Sequence, residues 1–116
     1  MGMELPAPIG AKKFDGGKPD LSYMLEYYGL MAGFCRVMSH GEAKYGRENF
    51  MEGAGDEAYV RRLYAAVMRH LMARYGGEVL DPESGQDHLC HAMGGIAMIY
   101  QLTENGESED ERSNEE

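Results

Sequence analysis

Tryptophan is absent from this chain, cysteine occurs twice and proline four times. No run of apolar residues approaches the roughly 20 that cross a bilayer, and none follows Lys12 and Lys13 as a leader would. Cys35 and Cys90 lack the paired spacing of a thiolate metal site or a redox motif and stand among apolar neighbours, so both are expected to be core thiols. Basic residues are scarce, 11 against 20 acids, for a formal charge of -9. With no basic stripe to displace condensed counterions, polymeric nucleic acid is not an expected partner. The stretch Glu104–Glu116 alone carries seven acids and one Arg and has no apolar face, so it reads as a solvated, disordered tail on a mildly acidic body. A soluble, cytoplasmic protein with no membrane contact is the expectation.

What is present is helical. The 116 residues fit one domain, small enough that a shared interface would help to stabilise it, so a homo-oligomer, dimer or tetramer, is expected. Residues 1–19, with three of the four prolines and a Gly-Gly-Lys-Pro turn, read as an extended arm. From Leu21 to about His40, Met24, Tyr28, Met31, Cys35 and Met38 recur at helical spacing beside Tyr27, Leu30, Phe34 and Val37, which predicts a largely buried helix. Glycines punctuate Gly41 to Asp56, a loop by this reading. A second helix is predicted from about Glu57 to Tyr75 on the stripe Val60, Leu63, Val67 and Leu71, stopped by Gly76-Gly77. A third is predicted from near Ser84 or Gln86 to about Thr103, with Leu89, Met93, Ile96 and Tyr100 as its core stripe. The fold class is all-α, a small bundle of three main helices over residues 20–103, followed by the tail 104–116.

The chemistry concentrates between His70 and His91. His70 falls within the arc of Leu63 and Val67 and so points inward, while Glu78 and Asp81 follow in the loop. His88 and His91, three apart, share a flank of the next helix, off its Leu89/Met93/Ile96 stripe and so towards a different surface from the core. Carboxylates and imidazoles drawn from a helix end, a loop and the next helix suit a divalent cation, magnesium or manganese. Taken singly, an inward His such as His70 is more often a hydrogen-bonded core residue than a ligand, Glu78 and Asp81 read as loop carboxylates, and Ser84 or Asp87 as helix caps; it is the cluster that points to function. Gly94 and Gly95, mid-helix, each cost about 1 kcal/mol relative to Ala, so a neighbouring helix or a flat ligand approaches there. Glu42, just past the first helix, could join the metal, and Lys44 and Arg47 could meet phosphate oxygens.

The segments KFDGGKPDLSYM, HGEAKYGRENF, RRLYAAVMRHL and GEVLDPESGQDHLCHAMGG, in that order, resemble the phage-encoded dATP/dGTP diphosphohydrolase family, a branch related to the MazG-like all-α nucleoside triphosphate pyrophosphatases. The resemblance covers about residues 12–103. It implies a helical bundle, usually dimeric or higher, that cleaves a purine deoxynucleoside triphosphate, dGTP or dATP, between the α and β phosphates and so adjusts phage nucleotide pools. Carried over by position, Lys18 matches the arm; Glu42, Lys44, Tyr45 and Asn49 the first signature; and Arg69 and His70 the second. Glu78, Asp81, Glu83, Ser84, Gly85, His88 and His91 match the third. The related enzymes carry Glu-x-x-Glu and Glu-x-x-Asp on helices, whereas this chain has His88-x-x-His91 and places Glu78-x-x-Asp81 in a loop. It also has Phe50 and Asp20 where the pattern has Trp and Arg.

The reading that follows has two or three divalent ions held by Glu42, Glu78, Asp81 and some of His70, His88 and His91, activating a water. Lys18, Lys44 and Arg69 or Arg62 would offset phosphate charge, and Tyr45, Tyr23 or the Gly94-Gly95 face would hold the base. The rivals are a His/Asp-type phosphohydrolase releasing triphosphate or phosphate, and a non-catalytic module that binds nucleotide and metal.

Overall fold

The computed structural model describes residues 12, 13 and 15–105; the predicted tail from Gly106 onward and most of the arm lie outside them. The described part of the arm holds one turn, Lys18 N–H to Asp15 C=O at 2.9 Å. Four helices follow: α1, Tyr23–Glu26; α2, Tyr28–Tyr45; α3, Glu57–Tyr75; and α4, His88–Asn105; a 3-10 turn, Asn49–Gly53, lies between α2 and α3. Among the described residues the extended pairing is a single antiparallel bridge, Leu80 with Asp87, so the all-α class holds.

The boundaries differ from the sequence reading in instructive ways. The first predicted helix is interrupted at Tyr27, whose φ of -100° and ψ of 39° leave the helical region, and it then runs through Gly41 to Tyr45. Gly41 does not stop it because a glycine within an otherwise regular turn only weakens a helix. The stop is Gly46, at φ +91°, a conformation that side-chain-bearing residues avoid. The third helix opens at His88 rather than at Ser84 or Gln86, because Asp87 caps it: its Oδ1 accepts from Leu89 N–H at 2.8 Å, and the bridge with Leu80 holds the preceding residues extended. Asp56 caps α3 in the same way, accepting from Ala58 and Tyr59.

The core is the antiparallel seam of α3 and α4, where Val67, Ala92 and Ile99 pack with Leu63 and Leu71. α2 crosses α4 on one side. The close approaches explain the mid-helix glycines: a Cβ on Gly95 would lie 2.5 Å from Val67 Cγ2, and one on Gly94 would lie 3.2 Å from Val37 and 3.3 Å from Met38. Gly33 meets the Cys90 sulfur in the same fashion. Neighbouring helices thus approach both glycines, which also line a pocket between α2, α3 and α4.

Four expectations about burial are corrected. The α4 stripe read as core faces outward, with Leu89 43%, Ile96 54% and Tyr100 62% exposed. His88, read as pointing away from the core, is buried against α3. Periodicity had located an apolar stripe but could not say which of two apolar arcs meets a partner within the chain. The predicted helix from Leu21 to about His40 is also not largely buried, since within it only Gly33 and Val37 are, and Tyr23, Met24, Leu25, Tyr27 and Tyr28 are exposed. Cys90 is a buried thiol as expected, whereas Cys35 is exposed because it lies on the side of α2 away from α4.

Replacing Gly95 with Ala should destabilise the protein by about 1–3 kcal/mol in urea unfolding, overpacking against Val67 outweighing the gain in helix propensity. Gly41→Ala, with open space at its Cβ position, should stabilise by up to about 1 kcal/mol. Equal responses at the two sites would refute the close-approach account.

Candidate metal centre and pocket

The site is built by the turn that returns the chain from α3 to α4. Gly76 and Gly77 end α3, Gly77 at φ +110°, and Glu78 N–H bonds back to Ala73 C=O at 2.9 Å. The chain then pairs with itself, His88 N–H to Val79 C=O at 3.0 Å and Asp81 N–H to Gln86 C=O at 2.8 Å. At the tip, Asp81 Oδ1 accepts from the N–H groups of Glu83 (2.8 Å) and Ser84 (3.0 Å), a local side-chain turn that aims the other carboxylate oxygen at α3. The base is tied by Asp87, whose Oδ1 also accepts from Arg74 Nε of α3 at 3.1 Å.

This hairpin and the α3/α4 seam bring three histidines together. His70 Nδ1 lies 2.8 Å from His88 Nδ1, and the His70 ring stacks on His91 with centroids 4.6 Å apart and planes 8° from parallel. His88 Nε2 lies 2.7 Å from Glu78 Oε1, and His91 Nε2 lies 2.6 Å from Ser84 Oγ. These contacts order the protons. The Glu78 carboxylate can only accept, so His88 Nε2–H donates to it; a neutral His88 then has its lone pair on Nδ1, directed at His70.

One donor atom each from His70, Asp81 and His88 falls within 4.8 Å of the others, and Asp81 Oδ2 is 4.0 Å from His70 Nδ1. Ligands at the usual metal distance of about 2.1 Å stand roughly 3 Å apart when adjacent, so the two imidazoles already have that spacing and the carboxylate closes on them by about 1 Å. The residues therefore fit a divalent ion, and Glu78 stands behind His88 as the carboxylate that orients a ligating imidazole.

Electrostatics favour the neutral forms of His70 and His91. Burial, chiefly, and the neighbouring His91 and His88 hold His70 below the ordinary value of 6.5; burial does the same to His91. Burial works against the charge on Asp81, but the N–H groups of Ser84 and Glu83, with the nearby imidazoles, outweigh it and lower its carboxyl.

His70, Asp81 and His91 form one wall of a pocket of about 620 Å³ between α2, α3 and α4, within the size range of small-molecule sites. Arg62 and Arg69 of α3 line it, as do Glu42, Lys44, Tyr45 and Asn49 from the end of α2 and the turn after it; Phe50, Tyr59, Leu63 and Met98 supply the apolar wall. The expected substrate residues thus converge, except Lys18, which is exposed on the arm and outside the lining. Glu42 lies at the pocket but outside the three-residue donor group, 3.7 Å from Arg47 Nη1. Tyr23, in α1, is also outside the lining.

Sequence reasoning did not find the link that closes the pocket. Lys44 Nζ donates to Glu83 Oε2 at 2.6 Å, and His40 Nε2 is 3.8 Å from the same oxygen, joining the end of α2 to the hairpin tip. The hydrogen bond raises Lys44 and lowers Glu83 from their ordinary values. His40 was overlooked because the first helix was ended there; a helix continued by one turn would have placed it with Lys44.

Residues 9–112 match the family described as dATP/dGTP diphosphohydrolase, N-terminal. A dATP/dGTP diphosphohydrolase of Salmonella phage PMBT28 is 34% identical over 100 residues, covering 86% of this chain. The chain spans 32% of that relative's length. No solved structure matches it.

In chelator, the melting temperature should fall as pH drops below about 6.5. Unfolded imidazoles take up a proton there while His70 and His91 resist it, so the unfolded state binds more protons and stability declines towards their lowered folded values. His91→Gln should flatten the slope between pH 7.5 and 5.5; an unchanged slope would show that His91 titrates alike in both states.

Proposed function

Because the chain belongs to the dATP/dGTP diphosphohydrolase N-terminal family, we propose that it hydrolyses a purine deoxynucleoside triphosphate between the α and β phosphates, in a metal-dependent reaction. The observation that carries the reading is the meeting of His70 and Asp81, at the wall of a pocket that also holds Arg62, Arg69 and Lys44, with the buried His88 directly behind them. A phosphate chain needs that pairing of a cation site with fixed positive side chains.

In this reading magnesium or manganese is held by His70, Asp81 and His88, and when bound it supplies positive charge to the phosphate oxygens and acidifies a water. Arg62, Arg69 and Lys44 bind the triphosphate; Lys44 leaves Glu83 to do so. His91, neutral at pH 7 and kept in place by Ser84, accepts the proton of the attacking water as the bond from the α phosphorus to the bridging oxygen breaks and pyrophosphate departs. Tyr59, Phe50 and Tyr45 offer flat surfaces for the base. Glu78, expected at the sequence level among the catalytic and metal-ligating groups, acts through His88 as a positioning residue. Glu42 acts at the rim.

A second reading has one specific support. The donor set is imidazole-rich, as suits a His/Asp-type phosphohydrolase that releases triphosphate or phosphate.

Incubation with each deoxynucleoside triphosphate plus manganese or magnesium, followed by anion-exchange separation, decides between them. Monophosphate and pyrophosphate from dATP or dGTP are expected; triphosphate or phosphate would move the assignment to the second reading, and no turnover would leave a binding module. Asp81→Asn and His88→Ala should each lower kcat at least about 100-fold with helicity retained, while Lys44→Ala should mainly raise KM. Glu78→Gln should weaken manganese binding about 10- to 100-fold, as loss of an orienting carboxylate does.

A further inference from the structure

One face of α2 presents a line of basic side chains to the hairpin. Arg36, His40 and Lys44 stand four residues apart and therefore share that face. All three meet the hairpin: Arg36 Nε donates to Gln86 Oε1 at 2.9 Å, while Lys44 Nζ and His40 Nε2 lie 2.6 and 3.8 Å from Glu83 Oε2. The line joins two hollows. Lys44 lines the pocket; Arg36 lines an open groove of about 470 Å³ between α2 and the hairpin, together with Cys35, Ser39 and Gln86; and His40 and Ser84 line both.

The groove has the chemistry of an anion seat. The chain carries 20 acids against 11 bases, yet among the described residues no carboxylate lines this groove. Two acids of the hairpin are engaged elsewhere, Glu83 by Lys44 on the pocket side and Asp87 by Arg74. Arg36 bonds to the neutral Gln86, so among the described residues no ion pair matches its charge. That bond at Nε fixes the guanidinium plane and leaves the two Nη groups, the fork that grips two oxygens of a phosphate. The exposed Ser39 hydroxyl and the His40 imidazole follow one turn along the helix, where both can donate to the same ligand.

We propose that the groove is a second anion site, separate from the pocket, that binds inorganic pyrophosphate. Its role as the exit of a leaving group rests on the hydrolytic reading of the pocket; its affinity for pyrophosphate does not. In that reading the bond to the α phosphorus breaks beside His91, whose Nε2 lies 2.6 Å from Ser84 Oγ, and Ser84 is a wall of the groove. Pyrophosphate, once free of the nucleoside, is handed along Lys44, His40 and Arg36, donors about 6 Å apart on the helix, and a multiply charged anion gains most from such a track. The monophosphate stays with its base and leaves by the pocket mouth. Two products then have two ways out.

Cys35 reports on the groove. It is exposed there, whereas Cys90 is buried and its thiol is pushed up by that burial, so iodoacetamide, a neutral reagent, reacts with Cys35 first. On the full chain stripped of metal, inorganic pyrophosphate should slow the alkylation of Cys35 saturably, and sodium chloride of equal ionic strength should not. Arg36→Gln, which removes the fork, and Ser39→Asp, which sets a like charge in the groove, should each raise the half-protecting concentration at least about 10-fold with circular dichroism unchanged. Arg69→Gln, on the pocket wall, should leave that concentration where it was. Absence of protection, equal protection by chloride, or protection that Arg69→Gln abolishes and Arg36→Gln does not would overturn the proposal. Protection without hydrolysis of any deoxynucleoside triphosphate would support the anion site and overturn its role as a leaving-group exit.

Discussion

Everything in this molecule depends on how closely α3 can approach α4. The absence of a side chain at Gly95 lets Val67 seat directly on the α4 backbone, and that contact brings His70 within 2.8 Å of His88 and stacks it on His91. A wider seam would leave three separate imidazoles, each hydrated. Packing at an apolar position thus sets the geometry of a polar one a turn away, and the free energy lost to a mid-helix glycine is the cost of that arrangement.

The hairpin between the helices completes what the seam begins. It places Asp81 by two backbone N–H bonds, locks its own base through Asp87 to both helices, and sets Glu78 behind His88. Each group has a partner: among the described residues no buried side-chain polar atom is left without one. In a polar cluster this dense, that completeness allows imidazoles to sit together in partly dry surroundings without an unpaired buried nitrogen.

Much of this was legible in the residues, for reasons that can be named. α3 was read almost to the residue because its stripe and its Gly-Gly stop agree, and the structure adds the Asp56 cap at its start. His70 was placed inward by the same stripe. The turns near Gly46 and Asp87 were less legible, since a glycine mid-helix and one ending a helix look alike until φ is known, and an aspartate suits a cap or a ligand equally well. The error at α4 had a different origin. Leu89, Met93, Ile96 and Tyr100 form its clearest apolar stripe, while its actual seam joins Ile99 to Ala92, Gly95 and the imidazole of His88, three small or polar groups that a hydrophobic pattern undercounts. Contacts between distant segments, such as Lys44 with Glu83 and Gly33 with Cys90, leave no periodic trace at all.

The hairpin has a consequence for the order in which the protein assembles. His70, Asp81 and His88 all belong to one helix–turn–helix segment whose ends are close in the chain, so the loop that must close before they meet is short and its entropic penalty small. The pocket, by contrast, needs α2, which docks from farther along the chain through Gly33 and Val37. The three candidate ligands can therefore be in place while the pocket is still open on one side, and an ion captured at that stage would act as a kinetic clasp, holding α3 and α4 in register while α2 arrives.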